Sequence, residues 1–525
     1  MKNTNHGVSR SNYHDILPFT IVVLLIFGLS HWSFAQTSLE QIQLEPGEYT
    51  VGFQHYTSND STRTYTRIYD YSNEVLTRPI PVSIWYPSSQ EVKANEPLHI
   101  LDYLVILKEE EEWEHLPNNF ILDWFYYANT DQNKKHLSDK TTAYREIAFS
   151  SEKHPVVIYA PSFQASSIEN FALCEFLASH GYIVISSPSR GTETRWFSQN
   201  RAKEMETQAR DVEFLIEEIQ KIPSADATNI ALIGFSFGGL SNVIVQNRND
   251  HVKAIVSLDG SERYQYSLLT SSPFFSEEKF DVPYLHMAQK DIPELVLKED
   301  NIDSLLNSEF VLYDSLSQSQ AYKLKFHDLT HSHFSTLGVL FSNRDSRQDK
   351  ADAKIMHSYN LVSSYTLHFL NAVINNMPEA FDFVEKQANH EEMGTQLVSV
   401  EQKKPLPKMF SFQDFNNLAS KQHYKELLTL YETVITLYPS FVISEGDLNT
   451  VGLQLVFNPN KSQQGIDVFL LATQLFPNSA NLFDSLAEGY LYIGEEEKAI
   501  DNFKKSLALN PQNQNAINRL EQLVQ

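Results

Sequence analysis

The chain has 525 residues, enough for roughly two to four domains at about 100–200 residues each. Hydrophobic residues make up 42% and charged residues 20%, which excludes an intrinsically disordered chain. The formal net charge of −25 argues against nucleic acid, and against an anionic membrane surface, as the main partner. The single cysteine, Cys174, rules out an intramolecular disulfide, and its apolar surroundings from Phe171 to Ala178 predict a buried structural thiol.

At the N-terminus, Lys2 and Arg10 precede an apolar run from Ile16 to Leu29, and Ser33-Phe34-Ala35 follows. Positive charge, apolar run and small residues in that order predict a secretory signal over residues 1–35, cleaved after Ala35. The expected location is therefore periplasmic or secreted. The apolar run spans 14 residues, short of the ~20 that cross a bilayer, so cleavage is favoured over an anchor.

Residues 36–375 are expected to form one α/β domain. Pro155–Ala160, Tyr182–Ser186, Asn229–Ile233 and Val252–Leu258 read as buried strands, because continuous apolar runs of this length suit parallel strands covered on both faces. Between them, Glu169–His180 and Glu206–Ile222 carry helical periodicity, the latter aligning Val212, Leu215, Ile219 and Ile222. Alternation of this kind predicts βαβ units and a mostly parallel sheet. An insertion over about 108–149 interrupts the pattern. Its acid run, Glu109–Glu112, reads as a solvated face. Its aromatic cluster, Trp124-Phe-Tyr-Tyr127, either lines a substrate mouth or packs on the domain body.

Residues 376–407 read as a linker ending in Gln402-Lys-Lys-Pro-Leu-Pro407. From 408 to 525 the sequence repeats: Gly465, Phe469 and Pro477 recur 34 residues later as Ala499, Phe503 and Pro511. A weaker copy runs from Leu427 through Tyr431 to Pro439. A small residue and an aromatic four apart, with a helix-ending proline at that period, predict an all-α tetratricopeptide-like repeat domain.

The chemistry centres on Gly234-Phe-Ser236-Phe-Gly238, set directly after an apolar strand and before a helix-compatible stretch. A serine in a tight strand–turn–helix elbow is lifted clear of the sheet, and close packing there demands glycine on either side. The helix start behind it favours the negative charge of an oxyanion. The motif in this context predicts an α/β-hydrolase fold with Ser236 as nucleophile. Such a serine needs a histidine base oriented by a carboxylate, following it in the order acid, then histidine. Asp259 and Asp291 both end strands downstream, and His327, His331 and His333 cluster beyond them. His331 and His333 also form an H-x-H pair, but with no further ligand nearby no metal is expected.

Further stretches resemble a known family. Glu45-Pro-Gly-Glu-Tyr-Thr-Val-Gly-Phe53, Arg78-Pro-Ile-Pro-Val-Ser-Ile-Trp-Tyr-Pro87, Leu177-Ala-Ser-His-Gly181, Arg210-Asp211 and the serine motif are similar to platelet-activating-factor acetylhydrolases and related bacterial esterases over about residues 44–340. The resemblance implies cleavage of carboxylic esters, often short-acyl or phospholipid-type, without metal or cofactor. It maps the acid onto Asp259 and, three residues before Phe334, the histidine onto His331. It draws the oxyanion hole from the backbone N–H groups of Phe163 and Phe237. The early loop departs from the family pattern: Ala160-Pro-Ser-Phe-Gln164 replaces Ser-His-Gly-Leu-Gly, giving a bulkier, stiffer turn. Competing readings are a degenerate hydrolase serving as scaffold for the repeats, and a serine peptidase or amidase. The expected partners are a small-molecule or lipid ester and, through the repeats, a protein or a second copy, with no nucleic acid.

Overall fold

The computed structural model describes residues 37–523 except 69–70, 72–73, 93–94, 300, 345–348, 387–390, 393–394 and 407–409. The predicted signal lies outside the described residues. Contacts divide the chain into two compact units, one up to Leu406 and one from Pro407.

The first unit is built on a ten-stranded sheet. In chain order its strands are β1 (Thr50–Thr66), β2 (Val75–Ser88), β3 (Ala143–Arg145), β4 (His154–Ala160), β5 (Ile183–Ser186), β6 (Ala225–Phe235), β7 (Val252–Leu258), β8 (Tyr284–Ala288), β9 (Ala321–Phe326) and β10 (Val398–Lys403). Across the sheet they run β10-β9-β8-β7-β6-β4-β5-β2-β1-β3. The centre, from β5 to β9, is parallel throughout, while β2 against β5, β1 against β2 and β10 against β9 are antiparallel.

The main helices of this unit are α1 (Ile100–Glu110), α2 (Phe171–Ser179), α3 (Arg201–Glu218), α4 (Phe237–Arg248) and α5 (Ala353–Val373). Alternate strand residues feed two cores. Val157, Tyr159, Ala231, Ile233 and Val256 pack with α2 and α5 on one face; Val156, Ile158, Ile230, Leu232 and Ile255 pack with α3 and α4 on the other. Both faces are covered, which is why these strands read as unbroken apolar runs. Two stretches of the family resemblance meet in the interior: the buried guanidinium of Arg78 donates to Asp211 at 2.9 and 2.6 Å.

Two expectations are corrected. The acid run is not a solvated face, because Glu110 and Glu112 are buried. Glu110 accepts from the Ser166 hydroxyl and from Ser167 N–H at 3.0 Å, and Glu112 accepts from Tyr65 Oη at 2.6 Å. Buried carboxylates are held by such donors. The segment 376–407 is not only a linker, since it contributes β10. In its Val-Ser-Val-Glu-Gln-Lys sequence Val398 is buried, and the strand closes the β9 edge with a full antiparallel ladder.

The insertion's aromatics pack on the unit itself. Phe125 stacks on Trp113 and Tyr127 on Phe341, while Tyr126 is exposed. Cys174 is buried, as its setting predicts.

The second unit is helical: α6 (Phe412–Lys421), α7 (Leu427–Leu437), α8 (Glu445–Val456), α9 (Ser462–Leu475), α10 (Ala480–Tyr492), α11 (Glu496–Leu509) and α12 (Gln514–Leu523). Gly465, Phe469, Ala499 and Phe503, which the sequence reading places at equivalent positions of a repeat, are buried. At Gly465 an added Cβ would stand 2.4 Å from Val456 N, so even alanine would clash where α9 crosses α8.

Candidate active site

The parallel strands end on one edge of the sheet, and the predicted site residues converge there. Ser236 follows β6 and opens α4 with φ 52° and ψ −117°. A non-glycine residue in that region is strained, and its surroundings must hold it. They do so with backbone bonds: Ser236 N–H donates to Leu258 O at 3.1 Å, and Ser236 O accepts from Gly239 N at 3.0 Å and Ser261 N at 2.7 Å. The flanking glycines are compulsory. A Cβ on Gly238 would stand 2.1 Å from Ala160 O, and one on Gly234 would stand 2.6 Å from Gly238 C.

His331 bridges the serine and the acid. Its Nε2 lies 2.9 Å from Ser236 Oγ and its Nδ1 lies 2.6 Å from Asp259 Oδ2. A hydrogen on Nδ1, donated to the carboxylate, leaves Nε2 as the acceptor for the serine proton. Asp259 is fully buried. Burial alone would raise its pKa, but the His331 hydrogen bond and charge, with Arg263 nearby, hold it below the usual carboxylate range. It therefore stays ionised. The His331 side chain is 42% exposed, so the site opens to solvent on that side.

The alternatives lie elsewhere. Asp291 points outward and pairs with Lys325. His327 is exposed. His333 is buried; its Nδ1 accepts from Thr330 N–H at 3.2 Å and its Nε2 donates to Asp349 O at 3.2 Å. The H-x-H pair thus faces two separate environments. Among the described residues no group of His, Cys, Asp and Glu is arranged to hold a metal ion.

The amide groups of Phe163 and Phe237 lie on adjoining elements. The loop after β4 abuts the start of α4, and the two rings meet edge to face at 6.0 Å. Among the described residues neither N–H has a partner in the chain. Phe197 packs on both rings, at 4.6 Å from Phe163 and 5.2 Å from Phe237, and the Arg201 guanidinium lies 4.1 Å above Phe163. The bulkier loop takes a conformation suited to glycine, with Gln164 at φ 53°. Glu169 secures it, accepting from Ser162 N–H at 2.9 Å and from Ser162 Oγ–H at 2.5 Å. Burial pushes the Glu169 carboxyl up to about 7 despite those bonds.

Three residues around Ser236, His331 and Asp259 carry no sequence signal. Tyr264 Oη donates to Asp259 at 2.9 and 3.1 Å, Arg263 stands 3.6 Å from the same carboxylate, and Gln289 contacts both Asp259 and His331. Only their arrival at the adjoining ends of β7 and β8 marks them.

A solved structure of a ferulic acid esterase from Streptomyces cinnamoneus is similar to this chain. It has 18% sequence identity and a TM-score of 0.49, covering 69% of this chain and 98% of that one. No match was found among curated proteins. Residues 142–314, which include Ser236 and Asp259, match the model of the dienelactone hydrolase family. With the mostly parallel sheet and the serine elbow, that match supports an α/β-hydrolase fold and a hydrolase acting on esters, followed by a helical region.

Proposed function

We propose that the chain is an exported serine carboxylic-ester hydrolase that works through an acyl-enzyme on Ser236. One observation carries the serine chemistry: the single imidazole of His331 lies within hydrogen-bond reach of both Ser236 Oγ and Asp259; export rests on the N-terminal sequence pattern alone. His331 Nε2 takes the serine proton as Oγ attacks the ester carbonyl carbon. The oxyanion so formed accepts from the N–H groups of Phe163 and Phe237. Collapse expels the alcohol, which takes its proton from His331. Water then repeats the sequence on the acyl-enzyme and releases the acid, freeing Oγ. Asp259 keeps the imidazole in the right tautomer and stabilises its protonated form.

The substrate is a carboxylic ester of the short-acyl or phospholipid type, on the strength of the family resemblance. The Phe163, Phe197 and Phe237 cluster supports an apolar group beside the oxyanion site. The helical unit is a tetratricopeptide-like module that binds a protein or a second copy. Burial of Phe469 and Phe503, 34 residues apart, supports the repeat reading.

Ser236→Ala tests the reading. Turnover of a short p-nitrophenyl ester should fall by about 10⁶-fold, leaving only what the oxyanion groups and binding supply. A fluorophosphonate probe should label the wild-type chain and not the variant. Equal turnover by the two proteins sinks the assignment.

A further inference from the structure

The strand end that offers Asp291 as an alternative acid instead delivers a neutral amide to the triad. Gln289 follows β8 directly, and its backbone N–H donates to Asp259 Oδ1 at 3.1 Å. Its side-chain Oε1 accepts from the backbone N–H of His331 at 2.9 Å. Its Nε2 donates to Tyr264 Oη at 2.9 Å, and Tyr264 in turn reaches both Asp259 oxygens.

These bonds have one consistent direction. A backbone N–H only donates, so the amide oxygen must face His331 and the amide nitrogen must face Tyr264. That nitrogen fills an acceptor site on the phenol oxygen, leaving the phenol's own proton for the carboxylate. One side chain therefore does two things. It pins the loop carrying the imidazole, and it aims a hydroxyl donor at the acid.

We propose that Gln289 is the positioning residue of this site, holding His331 and Asp259 in register and presenting the Tyr264 hydroxyl to the carboxylate. It touches no reacting atom, and the inference rests on Ser236 being the nucleophile. The consequence for geometry is large, since misplacing a reacting group by about 1 Å costs about 10²-fold in rate. The consequence for charge has a sign. A hydroxyl donor on Asp259 draws off negative charge that would otherwise stabilise the protonated imidazole. Removing it raises the pH at which the imidazole becomes an active base. The other ionisable groups acting on the pair are Arg263, 3.6 Å from Asp259, and Glu169, whose charge acts on His331. Both are retained in the variants below.

The test uses the full chain, a short p-nitrophenyl ester and a fluorophosphonate probe. Gln289→Met keeps the length and the backbone bond to Asp259 but removes the two side-chain hydrogen bonds; kcat and the labelling rate should fall by about 10- to 100-fold, with KM within about threefold of wild type. Gln289→Glu keeps the acceptor for His331 and should recover much of kcat at high pH. Its acid limb in kcat/KM should move upward, because it adds negative charge. Tyr264→Phe should move the same limb upward as well. A merely structural residue would lower the melting temperature without moving that limb. Wild-type kcat in Gln289→Met overturns the proposal, as do unmoved limbs in Gln289→Glu and Tyr264→Phe. Should the Met variant not fold, the two pH profiles decide. If Ser236→Ala is inert and Gln289→Met is not impaired, only the positioning role falls. If the wild-type chain neither hydrolyses nor labels, both readings fall.

Discussion

At the scale of single residues, neighbouring histidines take opposite parts. His331 meets Ser236 and Asp259 and is partly exposed, whereas His333 is buried two residues on. Burial pushes the His333 imidazole down to about 4, against about 6.5 in an unfolded chain. Between those values the unfolded state binds more protons, so stability rises with pH. The neutral imidazole's contribution is complete above about 6.5 and is lost as pH falls toward about 4. His333→Gln should therefore flatten the dependence of Tm on pH across that window, with ester turnover within a few-fold of wild type. Thermal melts at several pH values check this, and an unchanged slope would show that other groups, such as the half-buried His55, whose imidazole burial also pushes down to about 4, dominate. The same two histidines mark the limit of reading by spacing. The distance to Phe334 selects His331 only through the family resemblance, and nothing local distinguishes a base from a core histidine.

At the scale of elements, the contiguous motif is the legible part. Gly234–Gly238 carries its own constraints in five adjacent residues, and the elbow forms where the sequence predicts. The central strands are equally legible, because two covered faces leave an apolar signature. Strand β10 is not, since an edge strand with one buried face is short and mostly polar. Its importance is nonetheless testable. A chain ending at Gln396 would lose the ladder on β9 and the burial of Leu397 and Val398. At about 1.5–3 kcal/mol for each fully buried side chain, that removes about 3–6 kcal/mol and leaves β9 as an open edge. Such a chain should melt lower and aggregate, as light scattering on heating would detect. A melting curve like that of the full chain would show that β10 is dispensable.

At the scale of the whole molecule, the chain divides at Leu406 and Pro407, beyond β10. A chain ending at Leu406 should keep kcat/KM on a short ester within about threefold, because the proposed triad and both sheet-bound cores precede the cut. A dead or insoluble product would mean that the helical unit completes the first one. The sequence by itself determined the strand–helix alternation, the serine elbow and the helical character of the tail. Each is written in residues close enough along the chain for local geometry to impose a pattern. Tertiary structure decided between Asp259 and Asp291 as the neighbour of His331, buried Glu110 and Glu112, and brought Tyr264 and Gln289 to the carboxylate. Those outcomes depend on which strand ends lie side by side. Partners many residues apart leave no period in the sequence, and a carboxylate's fate turns on the donors that folding happens to deliver to it.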